Sequence, residues 1–163
     1  MNDQIKSIIS QLEEIHHGRP WMGPTFDYLL ASVTAENAFL TPVEGMKCIA
    51  EQLSHITFWR KEITYRIEHG QTRTGDDDPL NWCDLDVLRA KGWHQIKAEH
   101  DASLSALIAI LQTQSNTLLS ETYTDADFKG EFEYQWMLQG IVQHDIYHLG
   151  QIGVVVHYLK QMK

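Results

Sequence analysis

Two histidines four residues apart, His144 and His148, interrupt an apolar ladder of Met137, Ile141, His144, His148, Ile152, Val155 and Leu159. Steps of three and four follow one helix face, so the ladder predicts a long helix whose inward stripe contains two imidazoles. On that helix the pair differs by about 40° around the axis and one turn along it, so both rings can reach a single ion. Core positions are usually apolar, and an imidazole placed there requires hydrogen-bond partners or a metal. The pair is thus half of a candidate metal site, with satisfied core histidines as the alternative.

The rest of the chain reads as helices that can surround such a site. Residues 2–17 carry Ile5, Ile8, Ile9, Leu12 and Ile15 at helical spacing, and Gly18-Arg19-Pro20 ends that helix. His16 and His17 fall in its last turn, where an imidazolium interacts favourably with the carbonyl end of the helix dipole. After the turn Trp21-Met22-Gly23-Pro24 a short helical segment runs to about Val33. A second long helix is predicted over about 47–69 with Ile49, Leu53, Ile56, Ile63 and Ile67 on its stripe and Gly70 at its end. Residues 70–85 combine Gly, Pro and the run Asp76-Asp77-Asp78 and read as a long, solvated connection, since the run lacks the alternating ligands of a calcium loop.

A third helix is predicted over about 86–119, with Trp93, Ile96, His100, Leu104, Leu107, Leu111 and Leu118 on one face, and the fourth from about 133 to the C-terminus. His100 is a third inward histidine, read first as a core imidazole bonded to a neighbouring helix and otherwise as a ligand or a support for one. His55 sits roughly 100° from Ile56 at the boundary of its stripe, either facing an adjacent helix across a bundle seam or partly solvated. His157 is half a rotation from His148 and cannot share a metal with the pair. With four amphipathic segments, no alternating strand pattern and no internal repeat, the predicted architecture is all-α. It is a four-helix bundle with a short extra helical segment after the first helix, spanning 1–163 as one domain.

Composition narrows the function. The 163 residues are 43% hydrophobic and 21% charged, with no apolar run near twenty residues, which predicts a soluble protein without a membrane span or a signal peptide. Two cysteines, Cys48 and Cys83, in no metal-binding or disulfide pattern predict reduced thiols and a cytoplasmic location. A net charge of −9 opposes attraction to phosphate backbones, so nucleic acid is not an expected partner. The histidine pair has the spacing of HExxH peptidases with Asp145 in place of their Glu. Asp is one methylene short of the metal-bound water, and no third ligand follows at the metzincin spacing.

The stretch Gly140-Ile141-Val142-Gln143-His144-Asp145-Ile146-Tyr147-His148-Leu149-Gly150-Gln151-Ile152 resembles the C-terminal signature of the DinB-like superfamily of four-helix-bundle metalloproteins, which includes bacillithiol-transferase relatives. Cys48-Ile49-Ala50-Glu51-Gln52-Leu53-Ser54-His55-Ile56-Thr57-Phe58-Trp59 is similar to the same family's second-helix motif, and Pro20-Trp21-Met22-Gly23-Pro24 to a family turn. Met22 stands where that turn often carries His, and Cys48 where the helix usually starts on Ser or Thr. The resemblance implies one divalent metal, Zn, Ni or Fe, held by His55, His144 and His148. It also implies a homodimer and, for some members, transfer of a low-molecular-weight thiol. Asp145 is a candidate to orient an imidazole, and Gln151 to hydrogen-bond a ligand. The expected function is metal-dependent transfer, with the thiol as co-substrate, or hydrolysis on a small-molecule substrate. The alternative is a non-catalytic metal-binding or interaction bundle.

Overall fold

A computed structural model describes residues 3–162. Four long helices make a bundle: α1 (Asp3–His17), α3 (Ile49–His69), α5 (Trp93–Gln112) and α6 (Tyr134–Gln161). Short helices α2 (Phe26–Leu30) and α4 (Leu85–Lys91) join them, with a 3-10 turn at Asn116–Ser120. α3 packs on both α5 and α6, and α1 on α2, α5 and α6. Among the described residues no helix is long and apolar enough to cross a membrane.

The structure differs from the predicted elements in three places. The expected third helix over 86–119 is three pieces, α4, α5 and the 3-10 turn. Gly92 breaks it with φ 85° and ψ 150°, a conformation outside the helical region that L side chains rarely adopt. The chain is also not wholly helical, because Thr122–Asp125 (β1) and Gly130–Glu133 (β2) form an antiparallel hairpin with Thr122 opposite Glu133 and Asp125 opposite Gly130. The second long helix begins at Ile49 rather than 47, where Cys48 takes the N-cap position and its backbone N–H donates to Glu51 Oε2 at 2.9 Å.

The apolar core falls into two clusters. One gathers Phe26, Leu53, Ile56, Ile96, Leu149 and Ile152, and the other Leu12, Ile63, Leu104, Leu107, Leu138 and Val142. Each of three helices passes from one cluster to the other across a buried polar residue: Arg60 on α3, His100 on α5 and Asp145 on α6. A polar layer therefore crosses the middle of the bundle, and the paired histidines of α6 flank it.

The long connection between α3 and α4 is tied down rather than free. Gln71 makes an isolated parallel bridge with Thr124, and Thr72 Oγ1 donates to the Thr124 carbonyl at 2.8 Å. Glu62 Oε1 accepts the Arg73 backbone N–H at 2.8 Å, and the Asp76 N–H donates to Asp127 Oδ1 at 3.1 Å. Gly75 permits that approach, since a Cβ there would lie 2.2 Å from Asp127 Oδ1. The loop is held against the hairpin and delivers its distal residues to the bundle seam.

Candidate metal centre

α3 supplies His55, and α6 supplies His144 and His148, with one ligand nitrogen from each lying within 4.8 Å of the others. Among the described residues this is the one group of histidine, cysteine or acidic side chains so arranged. His55 is buried rather than at a half-solvated boundary, because the loop covers it. The Trp82 ring stacks on the His55 imidazole with centroids 3.9 Å apart and planes 9° apart.

The ring nitrogens have distinct roles. His55 Nδ1 lies 3.0 Å from the Asn81 carbonyl oxygen, which can only accept, so Nδ1 carries the proton and Nε2 keeps its lone pair. His148 Nδ1 donates to Gln151 Oε1 at 3.1 Å, again leaving Nε2 as the donor to a metal. Gln151 thus braces His148 from one turn away rather than reaching into the cluster. Burial lowers the pKa of His55 to about 4 and of His148 to about 3, with the charge of His144 adding to each, so both are neutral near pH 7. Neutral imidazole is the form that binds a cation.

His144 decides the fit. Its Nε2 faces His55 Nε2 at 3.0 Å, and its Nδ1 is buried without a hydrogen-bond partner, 3.8 Å from Asp145 Oδ1. If Nε2 donated to His55, a lone pair on Nδ1 would point towards a carboxylate. If Nδ1 carries the proton, it faces the Asp145 charge favourably, and two Nε2 lone pairs then confront each other. That arrangement calls for a cation between them, either a shared proton or a metal ion. A set of three imidazole nitrogens fits a divalent transition metal.

Asp145 itself is wholly buried beside His144. Arg60 Nε and Nη2 donate to its Oδ2 at 3.1 and 2.6 Å, and burial raises its carboxyl pKa less than Arg60, His144 and His16 depress it, so it stays well below the usual range. Arg60 Nη2 also contacts His16 Nε2, and because a guanidinium only donates, His16 accepts there and is neutral. Burial, the largest influence on His16, lowers its pKa in agreement. His16 therefore does not act as an imidazolium at the helix end. It is stacked on Phe26 with centroids 4.4 Å apart inside the polar layer. His100 likewise departs from expectation: neither ring nitrogen has a hydrogen-bond partner, and its ring lies 5.3 Å from Phe26 and 5.4 Å from His16. Tyr147 is largely exposed, its ring set at 77° to that of His148.

His55 and His144 open on a cleft of about 800 Å³ between α3, α6, the hairpin and the loop. His55, His144, Asn81 and Trp82 line one end, and Tyr123, Asp125, Asp127, Phe128 and Trp136 line its outer walls. Neither cysteine lines it. Cys48 is buried at its cap, and desolvation pushes its thiol up to about 12, which removes the thiolate a helix start would otherwise favour.

Periodicity could not place Asn81, Trp82 or Tyr123, which lie in the connection and the hairpin. Arg60 did leave a signal, because it occupies the stripe position between Ile56 and Ile63.

Comparison with known proteins agrees with this architecture. No curated protein matches the chain. A solved structure of YfiT from Bacillus subtilis, described as a probable metal-dependent hydrolase with an unusual four-helix bundle topology, superposes with a TM-score of 0.65 at 14% identity, covering 98% of this chain and 90% of that one. The structure of a DinB-like protein from Bacillus subtilis, YjoA, superposes with a TM-score of 0.63 at 18% identity, covering 94% and 92%. At these identities the likeness is one of fold. The model of the DinB superfamily matches residues 21–152, and on that match the chain belongs to the DinB superfamily.

Proposed function

We propose that this chain is a divalent-metal-dependent enzyme acting on a small molecule, by transfer of a small thiol or by hydrolysis. The observation that carries the reading is the pair of tautomers held by Asn81 and Gln151, which leave Nε2 of His55 and His148 free in a three-histidine cluster whose His55 and His144 line an open cleft. A closed, four-ligand site would suit a structural metal, whereas three protein ligands beside a cleft suit a site that admits substrate. His55, His144 and His148 would hold zinc, nickel or ferrous iron, which would supply Lewis acidity to a water or thiol entering the cleft. Trp82 shields His55 from one side, and the Arg60–Asp145 pair fixes a negative charge behind His144, which favours the Nδ1–H tautomer. The description of YfiT as a probable metal-dependent hydrolase supports the hydrolytic branch. Pairing of two chains belongs to the same reading, and the exposed Tyr28, Val154 and Tyr158 offer an apolar face for it.

The test is turnover of an electrophile with bacillithiol, glutathione or cysteine, and of an activated ester without thiol, by the metal-loaded protein. Activity is expected to fall at least 100-fold in His148→Ala and to persist in Cys48→Ser. Survival in the first with loss in the second contradicts the reading, and no turnover of any substrate favours a non-catalytic bundle.

A further inference from the structure

The far end of the cleft carries chemistry that the three histidines leave unused. Asp76 and Asp127 line it from the loop and the hairpin turn, and neither has a cationic side chain within ion-pair distance among the described residues. Arg66 is the one Lys or Arg on the lining, and its guanidinium is taken by Glu62 at 3.2 Å and Asp125 at 2.8 Å. Burial pushes the Asp76 carboxyl up, and the Asp127 and Asp125 charges push it further, so negative charge is crowded there. Acidic residues alone would be a solvated rim.

Three further observations point to a ligand. The Tyr123 side chain lines the cleft, is 1% exposed, and its hydroxyl has no hydrogen-bond partner. Burial is the larger cause of its raised pKa and the neighbouring Asp125 adds to it while Arg66 opposes, yet neither side chain reaches the hydroxyl in hydrogen-bonding geometry, so at about 12 it remains a donor. A buried phenol with nothing to bond to is costly unless something that enters the cleft satisfies it. Beside the acids, Phe128 and Trp136 stand 62% and 47% exposed, with ring centroids 5.2 Å apart and planes at 90°. Two large rings set at right angles in solvent, beside unpaired carboxylates, form a wall suited to a positive charge. Gly140, also on the lining, has nothing within 4 Å of the place a Cβ would take, so the helix leaves room between this wall and the histidines.

We propose that the cleft selects an organic cation: a substrate or co-substrate whose positively charged nitrogen sits among Asp76, Asp127, Phe128 and Trp136 while an oxygen along its length accepts from the Tyr123 hydroxyl. This deepens the proposed function, since it takes the cleft beside the histidines as the substrate cleft. An inorganic cation is disfavoured, because these carboxylates do not converge as ligands in the way the three histidines do. The aromatic walls also favour a ligand with an apolar body.

Binding of phenacyltrimethylammonium tests this directly. It carries a ring, a carbonyl and a quaternary nitrogen that cannot coordinate a metal, and acetophenone is its partner without the charge. Calorimetric titration at low ionic strength, on the protein as purified and again after chelation, is expected to show the ammonium binding at least tenfold more tightly than acetophenone in both states. The double substitution Asp76→Asn with Asp127→Asn keeps the acceptor for the Asp76 N–H and is expected to remove that preference. Tyr123→Phe should weaken binding severalfold. Phe128→Ala, at a side chain too exposed to hold the core, is expected to weaken the ammonium more than acetophenone and serves if the double variant fails to fold. Equal affinity for the two probes, no detectable ammonium binding, or undiminished preference in a folded double variant overturns the proposal. His148→Ala is expected to retain ammonium binding, so failure of the metal reading is seen separately as lost metal with this result intact.

Discussion

An arginine occupies position 60, where the stripe Leu53, Ile56, Ile63 asks for an aliphatic side chain, and it is 0% exposed. It is held there by Asp145, equally buried, which gives the pair two hydrogen bonds but also a large desolvation cost. Removing one partner leaves a buried charge uncompensated. Arg60→Met is therefore expected to destabilise the protein by about 3–5 kcal/mol in urea unfolding, and adding Asp145→Leu should recover part of that loss. A cost under about 1 kcal/mol for Arg60→Met would mean that the pair is not the keystone of the polar layer. At this scale the sequence is partly legible. A charge at a stripe position and two imidazoles in a ladder are visible as violations of the apolar pattern, and such violations mark sites. Their partners were not visible: Asn81 and His16 meet their partners 26 and 44 residues away, and no local period encodes that.

Among the elements, the long helices follow from periodicity and stop signals, as Gly18 and Gly70 illustrate at the ends of α1 and α3. The join between α4 and α5 was hidden because their apolar positions stay nearly in phase across a single residue. Gly92→Ala must strain the backbone at φ 85°, and a loss of about 1–3 kcal/mol is expected in thermal or urea unfolding. A neutral or stabilising effect there would show that the two helices can run as one. The hairpin is illegible in the sequence for a different reason. Each strand is four residues long, and only β1 alternates between exposed and buried, too short a run to distinguish from a connection. Yet the hairpin anchors the loop that brings Asn81 and Trp82 to His55, so the elements hardest to read are those that complete the site.

For the whole molecule, the consequence of burying so many imidazoles is a stability that depends on pH. His55 and His148 are lowered to about 4 and about 3, and His16 and His100 are also depressed, in each case chiefly by burial. Between about pH 6.5 and 4 the unfolded chain takes up protons that the folded chain refuses, so unfolding becomes easier as pH falls through that window. Urea midpoints of the metal-free protein are expected to drop steadily from pH 7 to pH 4.5, and a flat profile would contradict the neutral, buried assignment. The helical bundle and the identity of its inward histidines were readable from one helix's pattern together with the family motif, whereas the cleft, which depends on how loop and hairpin pack, was not. His55, His144 and His148 are expected to hold one divalent cation, and metal content and affinity test this most directly. Protein purified with zinc or nickel is expected to contain one ion per chain, to lose it in each single His→Ala variant, and to bind it about 10–100-fold more weakly in Gln151→Ala. Undiminished stoichiometry in His144→Ala, measured by elemental analysis after dialysis, would contradict the account.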